Sequence, residues 1–269
     1  MRWFIAGLLI LVAVAQEPVN EEALWLDFLA WWRTQPHTVE DPQPGYCALR
    51  RLGADECERR FIILKRKSQE HLEDSQAALF DRVYSAKTPP FKSSPSQLLS
   101  ALVEDVKPGT ALDVHMGQGR NAIFLAQKGW KVTGFDISQE AIQAAKAEAT
   151  RARVVIDARR EGHEHFDFGK SRWDLIVMTY AWIPLDDAAL LERIMSSLRP
   201  GGRVVFEHYR RPTCRPPEKG EWVPCANEML KVFQRLRVVY YQETNDLPDW
   251  ASRKSELVRL VAQMPAEAE

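Results

Sequence analysis

The chain has 269 residues, with 36 Lys and Arg against 37 Asp and Glu, a formal net charge of -1, 45% hydrophobic residues and 13 Gly. That balance describes an ordinary globular chain with one principal domain, and it excludes collagen, a repeat array and a disordered polymer. No basic excess is available to neutralise a phosphate backbone, so nucleic acid is not expected as a partner.

The first fifteen residues stand apart from the rest. Arg2 precedes an uncharged apolar run that begins at Trp3 and ends in Ala13-Val14-Ala15. The run is shorter than the roughly 20 residues that span a bilayer, and small side chains at Ala13 and Ala15 suit a cleavage site. The pattern predicts a signal peptide over 1–15 and an exported chain, periplasmic or secreted. No membrane contact is expected once the segment is removed, whereas an uncleaved segment would act as an anchor.

Next comes a helical, Trp-rich stretch, 16–94, that reads as an accessory region ahead of a principal domain at 95–269. Residues 21–33, EEALWLDFLAWWR, set Trp25, Phe28, Leu29 and Trp32 at i, i+3, i+4 and i+7, one face of a helix packed on the protein's own core. The Pro-rich DPQPG at 41–45 reads as a loop. Phe61, Leu64, Leu72, Leu79 and Val83 carry a second helical pattern over 55–83. The basic residues Arg59, Arg60, Lys65, Arg66 and Lys67 on it are interleaved with acids and read as a solvated face.

The four cysteines fall as two close pairs, Cys47 with Cys57 and Cys214 with Cys225. Three pairings are possible; in an oxidising compartment the two local ones are favoured, with four free thiols as the alternative. Neither pair has zinc-ligand spacing, and no metal is expected. His163 and His165 in HEHFDF lack a third ligand and read as part of a solvated loop.

After the linker TPPFKSSPS at 88–96, Ser96 is expected to cap a helix that runs to about Val106, before the Pro108-Gly109 stop. Residues 110–115, TALDVH, form a short apolar strand. The turn Met116-Gly117-Gln118-Gly119 and a helix over 120–127 follow. A second strand over 131–135 ends in Asp136, and Ser138 caps an Ala-rich helix. In such a β-α-β unit glycines let the backbone approach a ligand, and the helix N-terminus offers free N–H groups. The acid that ends the second strand accepts both ribose hydroxyls. Gly117-x-Gly119-x-x-Ala122 also satisfies the dinucleotide fingerprint, so an NAD-dependent oxidoreductase is one candidate.

The stretch ALDVHMGQGRNAIFLAQKGWKVTGFDIS, 111–138, resembles motif I and the following acidic strand end of class I S-adenosylmethionine-dependent methyltransferases. Asp113 matches their acid, and Gly117 and Gly119 match the second and third of their alternate glycines. His115 stands where the first would be. The resemblance runs over about 90–263. It takes in a third strand at 154–156 followed by Asp157-Ala158, a fourth at 173–179 (WDLIVMT) and a helix over 186–198. RPGGR at 199–203 matches the turn before a fifth strand at 204–208, and 236–242 and 256–262 match an antiparallel closing pair.

This resemblance implies an α/β, three-layer, Rossmann-like methyltransferase fold. Its seven-stranded sheet is mostly parallel with an antiparallel C-terminal strand, and accessory helices precede it. S-adenosylmethionine is the implied cofactor and a small molecule the implied methyl acceptor. The implied cofactor contacts are Asp113, His115, Gly117 and Gly119 around the methionine end, Asp136 on the ribose with Ile137 beside it, and Asp157 with Ala158 near the adenine. Tyr180, Trp182, His208 and Tyr209 face the acceptor, and Tyr180, His208 and His115 are the candidates for catalysis. A glycine permits a bend that a Cβ hinders, so His115 is expected to be structural or to tune the site. An exported, non-catalytic binding module that kept the fold is the alternative to the enzyme. The acceptor and the oligomeric state are not encoded in these motifs, which report the cofactor.

Overall fold

The computed structural model describes residues 19–86, 91–214, 223–249 and 253–266; the expected signal segment at 1–15 lies outside the described residues. Short runs rich in Val, Leu, Ile and Phe, apolar on both faces, form the interior strands of a largely parallel sheet. They are β1 (Thr110–Val114), β2 (Lys131–Asp136), β4 (Trp173–Thr179) and β5 (Leu198–Tyr209), with the polar β3 (Asp157–Arg160) at one edge and β6 (Arg237–Asp246) and β7 (Ser255–Gln263) at the other side. The order across the sheet is β3-β2-β1-β4-β5-β7-β6. β1 to β5 pair in parallel, and β7 lies antiparallel between β5 and β6. The antiparallel insertion corrects the dinucleotide alternative, because a nicotinamide-binding domain continues with parallel units at this edge. Chain direction across the sheet reverses between β1 and β4. A crevice at their carboxyl ends is where an open α/β sheet receives a ligand.

Helices cover both faces. The first four are α1 (Glu21–Arg33), α2 (Gln43–Leu49), α3 (Ala54–Glu70) and α4 (Leu72–Tyr84). α5 (Gln97–Val103), α6 (Arg120–Gln127) and α7 (Gln139–Arg151) pack with Ala111, Leu175, Val177 and Val205 on one face of the sheet. α8 (Ala188–Ser197) and α9 (Glu228–Val232) pack with Leu112, Val114, Ile176 and Phe206 on the other. The period-2 alternation of each strand thus feeds two separate cores, giving three layers.

Several expectations are corrected. The single helical pattern over 55–83 is two helices, broken at His71, whose backbone (φ -116°, ψ 60°) is not helical. The 41–45 segment is not all loop, because α2 starts inside it; prolines are tolerated in a first turn, where the N–H has no helical partner. Ser96 does cap α5, accepting from the Leu99 N–H at 3.4 Å, but the helix ends at Val103. HEHFDF is not a solvated loop: His163, Phe166 and Phe168 are buried, and Phe166 stacks on Phe135 at 4.2 Å. The third strand begins at Asp157 instead of ending before it.

The N-terminal helices have a core of their own, built from Trp25, Phe28, Leu29, Tyr46, Phe61 and Leu64. Its helices are tied by the Cys47–Cys57 disulfide, and Cys214 and Cys225 form the second bridge, so all four cysteines are paired. Buried Arg82 holds the connection between α1 and α2. Its guanidinium donates to the carbonyls of Gln35 (3.1 Å), Pro36 (2.5 Å) and Val39 (2.8 Å) and lies 3.5 Å over the Trp32 ring. The neighbouring Asp81 docks α4 onto the sheet domain. It accepts from Ser138 Oγ at 2.7 Å and from the Glu140 N–H at 3.3 Å, and it faces Arg33 at 3.5 Å. Ser138 Oγ in turn accepts from the Ala141 N–H, so one serine both caps α7 and carries the contact to α4.

Candidate active site

The turn after β1 has left-handed backbone at three alternate residues: His115 (φ 51°), Gly117 (φ 54°) and Gly119 (φ 81°). Glycine adopts this conformation freely, whereas a side chain there costs about 1–2 kcal/mol. His115 therefore reproduces the bend that a glycine would supply. Its ring is fixed by surrounding contacts: Nε2 lies 3.2 Å from His163 Nδ1, and Phe135 packs against it edge-on at 5.8 Å. Burial, with the neighbouring His163, pushes His115 down to about 3, so the imidazole is neutral at physiological pH.

Two buried carboxylates brace this turn. Asp113, near the end of β1, accepts from the Ala122 N–H in the first turn of α6 at 3.0 Å. Burial pushes its carboxyl up to about 7, against the pull of the Arg120 charge and the Ala122 hydrogen bond. Asp136, at the end of β2, accepts from the Gly117 N–H and the Ser138 N–H, both at 2.9 Å. Burial raises it to about 6, with those two donors opposing the shift. Asp136 thus joins the β1 turn to the start of α7. A carboxylate has about four lone-pair sites, which leaves two for a ligand.

These groups line a cavity of about 320 Å³. Asp113, His115, Gly117, Asp136 and Ile137 meet there, together with Tyr180, Trp182 and Tyr209 from the ends of β4 and β5. α4 closes the opposite side, presenting Gln76, Leu79, Phe80 and Tyr84 along one helical face. Tyr84 lies close over the glycine turn: a Cβ at Gly117 would fall 2.4 Å from its hydroxyl. At the acceptor end the Thr179 hydroxyl accepts from Asn121 Nδ2 at 2.8 Å. Tyr180, itself left-handed at φ 56°, donates its hydroxyl to Glu207 Oε1 at 2.9 Å. Glu207 is buried and also accepts from Arg259 Nε (3.1 Å) and the Ser96 hydroxyl (3.2 Å). Burial and the nearby Asp249 carboxylate raise its pKa.

Four of the residues singled out from the sequence lie outside this cavity. Asp157 and Ala158 do not line the cavity. The β2–β3 register sets Asp157 against Thr133 and Ala158 against Gly134, with Arg160 beside Asp136, so the pair lies at the far end of the strand. Asp157 instead pairs with Arg159 at 2.6 Å, and Ala158 packs in the core. Gly119 does not line the cavity either. It lets α6 approach α7, since a Cβ there would meet the Ala145 methyl at 3.0 Å. His208 lies inside β5, fully buried and stacked on Phe206 at 6.1 Å; burial lowers it to about 4, so it is a neutral core residue. Sequence reasoning missed Gln76, Phe80, Tyr84, Asn121 and Glu207. Only Glu207 leaves a signal, as a carboxylate inside the apolar run VVFEHY.

Residues 111–202 match a family model described as a methyltransferase domain. A ubiquinone biosynthesis O-methyltransferase from Serratia proteamaculans (strain 568) is 32% identical over 106 residues, which cover 39% of this chain and 44% of the relative. The chain spans about half the length, or less, of the first curated relatives it matches. Among solved structures, the N-methyltransferase NodS from Bradyrhizobium japonicum WM9 in complex with S-adenosyl-L-homocysteine is similar with a TM-score of 0.55 at 20% identity. That match covers 70% of this chain and 98% of NodS. TehB from Haemophilus influenzae gives a TM-score of 0.54 at 15% identity over 70% of this chain and 67% of TehB. At such identities these two likenesses are ones of fold.

Proposed function

We propose that this chain, which carries a class I S-adenosylmethionine-dependent methyltransferase domain, transfers the methyl group of S-adenosylmethionine to a small-molecule acceptor. The observation that carries the reading is the pair of buried carboxylates, Asp113 and Asp136, hydrogen-bonded to the backbone around a left-handed turn that lines a closed-in cavity. The residues present fit the cofactor. Asp136 keeps lone pairs for a ribose, the His115 side chain is turned toward His163, and aromatic rings line the walls. A solved fold of this kind that holds S-adenosylhomocysteine supports the same assignment.

When bound, the sulfonium supplies an activated methyl group for in-line displacement, which leaves the protein mainly the tasks of alignment and water exclusion. Phe80, Tyr84, Trp182 and Tyr209 provide the apolar enclosure. Tyr180, with its hydroxyl directed to Glu207, is the residue placed to orient the acceptor. The left-handed backbone of His115 favours an active enzyme over a binding module, because the turn keeps the bend that its missing glycine would give.

Calorimetric titration of the purified protein with S-adenosylmethionine and S-adenosylhomocysteine tests the reading. Saturable binding of both is expected, weakened at least a hundredfold in Asp136→Ala. A folded protein that binds neither overturns it.

Export is part of the proposal. The apolar run ending in Ala13-Val14-Ala15 supports it, as do four cysteines paired in two disulfides, which persist in oxidising compartments. Terminal sequencing of the protein from the periplasmic or culture fraction should start at Gln16. A cytosolic protein that keeps residues 1–15 would contradict this.

A further inference from the structure

The base of the cofactor has lost its expected reader. Asp157 lies at the far end of β3, engaged with Arg159, and none of residues 157–168 lines the cavity. The cavity is lined by Ile137, next to Asp136 in the chain, and by Gln76, Leu79 and Phe80 of α4.

The course of α4 gives these residues their positions. Near its start Glu73 crowds Gly162, just after β3, where a Cβ would meet its carboxylate at 2.1 Å. At its end Tyr84 stands over Gly117. The helix therefore passes from the end of β3 to the β1 turn. From Gln76 to Tyr84 it covers about 12 Å at 1.5 Å per residue. Gln76 sits toward the β3 end, on the side of Asp136 away from the glycine turn. It is partly exposed, and its amide makes no hydrogen bond to another described residue.

We propose that Gln76 on α4 reads the edge of the cofactor's base in place of an acid after β3, and that the site accepts adenine and hypoxanthine edges with similar affinity. This rests on the cofactor assignment above. A glutamine amide presents one acceptor and one donor side by side, which matches the amino group and neighbouring ring nitrogen of adenine. Hypoxanthine offers the reverse pair, a carbonyl acceptor and a ring N–H. An amide that no neighbour holds can turn over and match it equally well. A carboxylate at the same place accepts one N–H from either base, the amino group of adenine or the ring N–H of hypoxanthine, and faces a lone pair beside it in both, so it would hold both less well than the amide and by a similar factor. Ile137, Leu79 and Phe80 supply the apolar surroundings that a flat base requires.

The test is titration of the full protein, Gln76→Ala and Gln76→Glu with S-adenosylhomocysteine and S-inosylhomocysteine, with thermal melts to confirm that each variant is folded. The parent protein should bind the two ligands within about threefold of each other. Gln76→Ala should weaken both by about 3- to 10-fold, the loss of one or two net hydrogen bonds. Gln76→Glu should weaken both ligands by a similar factor, because one of the two hydrogen bonds is lost with either base. Unchanged affinity for both ligands in Gln76→Ala, or strong rejection of the inosyl ligand by the parent protein, overturns the role of Gln76 while leaving the cofactor assignment intact. Failure of the parent protein to bind S-adenosylhomocysteine at all overturns both.

Discussion

The two walls of the cavity are built from different materials. The floor, at the ends of β1 and β2, is backbone: a left-handed turn whose N–H groups are held by buried carboxylates and whose flanks are hydrogen-bonded strands. The roof is the face of α4, and its reach to the sheet domain passes through a few side chains, chiefly Asp81 against Ser138 at the start of α7 and Tyr84 over Gly117. A floor made of ladder hydrogen bonds opens only when the sheet does, whereas a roof held by side chains can loosen on its own. The difference separates a rigid element that fixes the cofactor from an adjustable one that selects what lies against it.

The sharpest way to break this comparison is Arg82→Ala. The substitution strips three backbone carbonyls of their donor and bares the Trp32 ring, a loss of about 3 kcal/mol. Denaturant unfolding should register it. Hydrogen exchange should quicken through residues 19–86 while β1, β2 and β4 keep their protection. An even loss of protection over both regions would make roof and floor one cooperative unit.

A second effect belongs to the floor alone. Asp113 and Asp136 titrate near 7 and 6 in the folded chain, above the usual carboxylate range. Between about pH 4 and 7 the folded protein therefore holds protons that the unfolded chain does not. Their contribution to stability is present at low pH and is lost as pH rises through their folded values. Ligand binding has the opposite sign, because a cationic cofactor is held by the ionised forms. Lowering the pH from 8 to 5.5 should weaken S-adenosylmethionine binding by roughly tenfold or more. Calorimetry across that range checks the direction, and a flat profile would remove the carboxylates from the site.

The smallest effect sharpens the joint between the two walls. Asp81→Asn keeps the shape but removes a negative charge from the N-terminus of α7, at a cost of about 1 kcal/mol. A modest fall in melting temperature and a change of no more than about twofold in cofactor affinity are expected. A larger affinity loss would mean that α4 shapes the floor as well.

The floor was legible because its chemistry is local. An acid, a turn with glycines and a second acid ending the next strand lie within 24 residues, and each has one structural use. The same locality made the sheet readable from its alternation, including β7 with its run LVRLVAQ. Asp157 was misplaced because a strand boundary moved by three residues, and such a shift carries a residue from one end of a short strand to the other. His208, expected as the last residue of the fifth strand, is enclosed because β5 runs on through Tyr209 and the chain covers it. The roof was opaque for a different reason. Gln76, Phe80 and Tyr84 reach the site only through the docking of α4 on α7, a contact between residues 57 apart in sequence that no motif announces.

β7 sits in the interior of the sheet, yet it is formed by residues 255–263 and pairs with strands made before it on both sides. Leu257, Val258, Leu260 and Ala262 are fully enclosed there. During synthesis β5 is an open edge until residues 255–263 arrive, and because β6 pairs with β7 alone, the antiparallel pair completes the sheet as a unit. Closure is thus a late, long-range event with a correspondingly large loop-entropy cost. A chain that stops before residue 255 leaves β5 as an open edge and β6 without the strand it pairs with, the kind of exposed backbone that recruits other chains.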